Sequence, residues 1–205
     1  MAIAGMTGAV YVSDVNTEPA AFSGKSCSAV DAQRKRYQID DEDCRYWDPN
    51  APVSVRVDGV SVTAGFTLEH AGGFVVFDNA LAAGDEVEVS GKALELIQAG
   101  GFFNWSIDFD GEDADATTFK SEGWKEFVRT LKGWSGSAEA YWGDEQFYDS
   151  LGKIVVVKLF VDAGPAKDCL EGFAVINGEG IENPVDGLVQ ETVDFTGTGP
   201  LYIRM

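Results

Sequence analysis

Apolar and polar residues alternate one for one through long stretches of this chain, and a period of two is the pattern of a strand with one face buried. Val53, Val55 and Val57 alternate with polar neighbours, Asp58-Gly59 follows, and Val60, Val62, Ala64, Phe66 and Leu68 resume the alternation. Asp-Gly between two such runs predicts a tight hairpin, because both turn residues must accept positive φ. Gly72-Gly73 marks the next turn, and residues 74–77 and 86–89 read as short strands separated by Gly84-Asp85. Further runs at 154–162, 170–176, 185–195 and 201–204 complete a β-rich chain, and its 24 glycines fall between them as punctuation.

Residues 104–142 hold the most distinctive pattern. Trp105, Ile107 and Phe109 form the apolar register of one strand, with Asn104, Ser106, Asp108 and Asp110 opposite. In residues 134–142 the tryptophans alternate with Ser135, Ser137, Glu139 and Tyr141. Large rings in an alternating register, here Trp105, Trp134 and Trp142, are expected in a core or a subunit interface. Trp124, Phe127, Val128 and Leu131 fall at helical spacing, which suggests a helical turn or an irregular arm. One short helix is expected at 144–151, with Asp144 as N-cap, Phe147 and Leu151 on one face and Gly152 just past its end. Residues 13–35 lack apolar periodicity and read as an extended loop or arm that contributes more to a neighbour than to its own fold.

At 205 residues the length predicts a single domain over 1–205, in which the hairpin-rich stretch 45–95 is a possible insert. Hydrophobic residues are 45% and charged residues 24%, enough to bury a core. The net charge of −19 is evenly spread, with 15 acids against 7 bases in residues 1–100 and 19 against 8 in 101–205. Such a chain does not hold nucleic acid by neutralising phosphates, although it can contact DNA without holding it. The opening Met-Ala-Ile-Ala-Gly-Met lacks a charged region followed by a long apolar one, so no targeting segment is expected. No membrane span is expected either, since the most apolar run, 154–161, is short and contains Lys158. Cys27, Cys44 and Cys169 cannot all pair within one chain and read as free thiols of a protein made in a reducing cytoplasm.

Catalytic chemistry finds little to stand on. The single histidine, His70, has no nucleophile or orienting partner suggested by spacing, and it reads as a surface or rim residue. No glycine-rich loop precedes Lys-Ser or Lys-Thr, and His and Cys are too few for a zinc site. Among 34 acids, a glycosidase-type pair carries no information. Asp108, Asp110, Asp113 and Asp115 surround a glycine and form the one candidate calcium cluster, with a solvated acidic turn as the plainer reading. The chain is therefore not expected to be an enzyme, and no cofactor is expected.

The order of motifs resembles that of bacteriophage tail tube (major tail) proteins. The matching segments are Trp105-Ser-Ile-Asp-Phe, Thr117-Thr-Phe, Gly123-Trp-Lys-Glu-Phe and Trp134-Ser-Gly-Ser. The opening Met1–Val12, Arg36-Tyr-Gln-Ile, Arg45-Tyr-Trp-Asp-Pro-Asn-Ala-Pro and the stretch from Asn183 to Pro200 are similar to that family as well. The resemblance implies a mostly β fold, a two-sheet sandwich or barrel with one short flanking helix. It also implies six copies per ring, with rings stacked into a hollow tube that conducts DNA to the host cell. Partners would be further copies of the chain and other tail proteins at the tube ends. The location would be the virion tail, assembled in the host cytoplasm. Strand polarity then nominates Asp108, Glu139 and Asp194 as residues lining an acidic lumen. The alternative is an extracellular β-sandwich binding module, carbohydrate-binding or adhesin-like, which would be a monomer with exposed aromatics.

Overall fold

The computed structural model describes residues 8–143, 146–161 and 168–204. The chain is mostly β, and the described residues form two hydrogen-bonded sheets, one short α-helix and a 3-10 turn at Glu42–Cys44. It divides into two compact units. Unit 1 comprises residues 1–10, 99–155 and 159–205, and unit 2 comprises 11–98 with 156–158.

Unit 2 is built on a sheet with the strand order β5-β4-β8-β2-β3-β7-β6. These strands are β2 (Ala20–Ala29), β3 (Arg36–Ile39), β4 (Ser54–Val57), β5 (Val60–Val62), β6 (Phe66–Glu69), β7 (Phe74–Phe77) and β8 (Val87–Ala93). The Asp-Gly turn joins β4 to β5 with Asp58 at φ 51° and Gly59 at φ 74°, as a two-residue hairpin requires. The core gathers Phe22, Ile39, Trp47, Val55, Val75 and Val89 among others. Trp47 is fully buried, and its indole Nε1 donates to the Cys44 carbonyl at 2.7 Å, which satisfies its one polar atom. The two ends of this excursion lie side by side: β1 (Ala9–Ser13) pairs antiparallel with β9 (Leu96–Gln98), through Tyr11↔Gln98 and Ser13↔Leu96.

The loop expected over 13–35 is corrected here. β2 sits between β8 and β3, and its Phe22 and Cys27 belong to the core. Periodicity concealed this strand because a register shift between Phe22 and Lys25, at Gly24 with φ 58°, breaks the alternation.

Unit 1 carries β10 (Phe102–Asp115), β11 (Phe127–Tyr141), β13 (Cys169–Glu182), β14 (Gln190–Arg204) and the two ends of β12 (Ile154–Phe160), in the spatial order β10-β11-β14-β13-β12. The helix α1 spans Gln146–Ser150, with Phe147 buried against Phe102 at 5.5 Å between ring centroids. Gly152 follows at φ 73°, while the expected cap, Asp144, lies outside the described residues. The helical spacing of Trp124, Phe127, Val128 and Leu131 does not produce a helix. Phe127 opens β11, whose backbone bonds are made across to β10. The acidic turn expected at 108–115 is likewise extended strand, and the chain reverses in residues 116–126 instead.

Candidate functional site: an acidic sheet face

The register of β10, β11 and β14 decides which side chains share a face. Ser106 lies opposite Ser137, which lies opposite Asp194. Asn104, Glu139 and Thr192 form the next row, and Asp108, Ser135 and Thr196 the row on the other side. Directly opposed residues in an antiparallel sheet point the same way, so the three lumen candidates named from sequence, Asp108, Glu139 and Asp194, stand on one face. The reverse face holds Trp134, Ala138, Ala140, Val193 and Phe195, all buried. That is the core side of unit 1.

The polar face is held by short side-chain contacts. Ser106 and Ser137 approach at 3.2 Å between hydroxyl oxygens, the Asn104 amide donates to the Glu139 carboxylate at 3.2 Å, and the Asn177 amide donates to the Thr196 hydroxyl. A shallow concavity of about 310 Å³ runs between Asp108 and Asp194, lined also by Ser106, Ser135, Ser137 and Thr196. On β13 the face continues as Gly178 and Gly180, opposite Asp194 and Thr192. No lysine or arginine occurs in residues 102–110, 133–141, 176–182 or 190–197. The surface is small, hydrophilic and negative, with nothing to neutralise a phosphate.

The four acids of the calcium candidate do not converge. An extended strand spreads Asp108, Asp110, Asp113 and Asp115 over roughly 23 Å, at about 3.3 Å per residue. Asp113 accepts from Arg129 Nε at 3.4 Å, and Asp115 accepts from the Thr117 amide at 2.9 Å. The Thr117 hydroxyl and amide together hold the Asp115 carboxyl below its usual range. Among the described residues, no group of three or more His, Cys, Asp or Glu side chains is arranged to hold a metal ion. Unit 2 has a larger cleft of about 420 Å³, whose lining includes Glu18, Glu42, Asp43 and Glu95.

His70 is half-buried beside Trp47, with ring centroids 6.1 Å apart and planes at 79°. Burial lowers its pKa, against the opposing pull of the Asp48 carboxylate. The three cysteines are buried thiols outside any disulfide, and burial pushes the Cys27 thiol up to about 12. Of the tryptophans expected in a core or interface, Trp134 is buried, Trp105 half-buried and Trp142 exposed.

Sequence reasoning missed two buried acids. Glu171 accepts from Arg204 Nε at 2.7 Å, and Glu191 sits buried in the same register as Val193 and Phe195. The signal was present for Glu191, an acid at an apolar position of its strand.

No protein-family model and no curated protein sequence matches this chain. Among solved structures, it is similar to the tail of an empty GTA particle computed with helical refinement in C6 symmetry. That match has 16% identity and a TM-score of 0.44, covering 54% of this chain and 87% of that one. It is also similar to a chain of the virion of a native gene transfer agent particle, with 17% identity and a TM-score of 0.42, covering 54% and 89%.

Proposed function

We propose that this chain is a structural subunit of a bacteriophage tail tube. Hexameric rings of it stack into a hollow tube, and the face bearing Asp108, Glu139 and Asp194 lines the lumen. The observation that carries this reading is the register of β10, β11 and β14. It places three acids and a set of Ser, Thr and Asn side chains on one uninterrupted face that contains no base. A bore of that character repels DNA phosphates and lets a duplex slide, since affinity for DNA comes mainly from cations placed at phosphates. The motif order described above supports the same reading.

A second feature fits polymerisation. β10 is an edge strand of 14 residues with an exposed row of backbone groups, which a sheet normally protects or pairs. Pairing between copies removes such an edge, and closure of the rotation gives a ring. The tail subunit would work in the virion, alongside other tail proteins at the tube ends, and would not be an enzyme.

Negative-stain microscopy of the purified protein tests the reading. Rings or tubes are expected. A strictly monomeric species by light scattering at high concentration, with no rings or tubes in the images, would favour the β-sandwich binding module instead.

A further inference from the structure

The sheet of unit 1 exposes apolar side chains at its two opposite ends. β10 and β11 pair from Phe102↔Ala140 at one end to Asp115↔Phe127 at the other. β11 lies beside β14 only from Ser135 to Tyr141, so the far part of the hairpin continues as a two-stranded arm closed by residues 116–126. On this arm Phe119, Trp124, Phe127, Val128 and Leu131 are each more than half exposed. At the opposite end Tyr141 pairs with Gln190 and Glu182 also pairs with Gln190, so the turn at residues 183–189 emerges beside β11. The Trp142 amide donates to the Val189 carbonyl at 3.1 Å and fixes that proximity. Here Phe103, Trp142, Ile181, Val185 and Leu188 are exposed.

The basic residues of unit 1 are concentrated at one end of the same axis. The arm carries Lys120, Lys125, Arg129 and Lys132, four of the six basic residues described in unit 1. It also carries acids: Glu112, Asp113, Asp115, Glu122 and Glu126, of which Asp113 pairs with Arg129. The turn end holds Glu139, Glu179, Glu182 and Asp186 and no base in residues 99–104, 139–143 or 179–191. Two turn ends brought together would set acid against acid. An arm against a turn end joins apolar patch to apolar patch and lysines to acids.

We propose that the arm of one copy docks on the turn end of a second copy. In this contact Phe119 and Trp124 pack against Val185 and Leu188, while Lys120 and Lys125 face Glu182 and Asp186. This rests on the reading of the chain as a self-assembling tail subunit and names the two surfaces that meet when copies stack. The contact is heterologous, so each copy keeps a free arm and a free turn end, and the assembly grows as a filament.

Single-cysteine variants test the pairing directly, because Cys27, Cys44 and Cys169 are buried and leave the wild type as a clean control. Phe119 and Val185 are fully exposed, so Phe119→Cys and Val185→Cys spare the fold. Mixed in equal amounts and mildly oxidised under assembling conditions, the two should form cross-linked heterodimers, with little cross-linking of either alone. A second variant set reads the charges. Lys120→Glu with Lys125→Glu should raise the concentration needed for assembly roughly tenfold, and adding Glu182→Lys with Asp186→Lys should largely restore it. Heterodimers no more abundant than homodimers, or charge-reversed protein that assembles at the wild-type concentration, would overturn the proposal. If the wild type assembles in those experiments, the tail-subunit reading stands and only this contact fails. If the wild type itself stays monomeric, both fail.

Discussion

The indole of Trp134 lies flat against the backbone of Gly197. A Cβ on Gly197 would come within 2.0 Å of Trp134 Cε2, so any side chain there forces the ring out of place. The same ring closes on Gly172, where a Cβ would meet Trp134 Cζ2 at 2.9 Å, and its Nε1 donates to the Gly199 carbonyl at 3.1 Å. Two glycines on neighbouring strands thus form the bed for the one fully core-facing tryptophan of unit 1. Gly197→Ala should destabilise the protein by about 1–3 kcal/mol, the usual cost of overpacking a filled core. Urea unfolding followed by tryptophan fluorescence measures it, and an unchanged midpoint would show that the ring relocates without strain.

The central position of β2 reverses what the sequence suggests for residues 13–35. Deleting them removes a strand bonded on both sides, along with Phe22 and Cys27 of the core. Unit 2 should lose its fold, and the near-ultraviolet dichroism of the packed Trp47 should collapse. Retention of that signal after deletion would mean that β2 is dispensable.

His70 sets a pH window. Its pKa is lowered in the folded state by burial, so the folded protein binds this proton less readily than the unfolded chain does. The stability it contributes is fully present above the unfolded value of about 6.5. It is lost as pH falls from there through the lower folded value. Between about pH 6.5 and 5, above the ordinary range of carboxylates, the wild type should lose stability more steeply than His70→Gln. Parallel pH profiles of the unfolding midpoint for the two proteins would count against this account.

Charge on the candidate lumen face is open to a direct reversal. Asp108→Lys, Glu139→Lys and Asp194→Lys together should leave assembly largely intact, because exposed charges contribute at most about 1 kcal/mol each. Asp108 and Asp194 are exposed, and Glu139 accepts a side-chain bond from Asn104 that a lysine, which has no acceptor, gives up. Tubes of the variant should bind duplex DNA in a salt-dependent way, and particles built with it should eject DNA slowly or stall. Normal ejection, with no gain in salt-dependent DNA binding, would place these residues elsewhere than the bore.

Much of the architecture was legible in local pattern, and the reasons are specific. The Asp58-Gly59 turn could be read because both residues must take positive φ, a demand that few residue pairs meet. The strand polarity of residues 104–110 and 134–140 could be read because period two assigns each residue to a face by parity alone. That parity separated Asp108, Glu139 and Asp194 from the apolar register, but each strand was read singly. Their meeting on one surface depends on the registers Ser106↔Ser137 and Ser137↔Asp194, and a slip of one residue would have turned an acid row into the core. Pairing over 31 residues (106 to 137) and 57 residues (137 to 194) of chain leaves no local trace. For the same reason β2 escaped notice, since a register shift at Gly24 spoils the alternation while its neighbours β3 and β8 still hold it. The spacing of Trp124, Phe127, Val128 and Leu131 satisfied a helix on paper, yet the backbone found its hydrogen bonds across β10. What composition and alternation determined was an acidic, strand-rich chain with one polar and one apolar side to its strands. Tertiary structure alone decided the strand order, the division into two units and the arm at one end of the sheet. Those outcomes follow from long-range pairing and from close approaches such as Trp134 on Gly197, which no single segment contains.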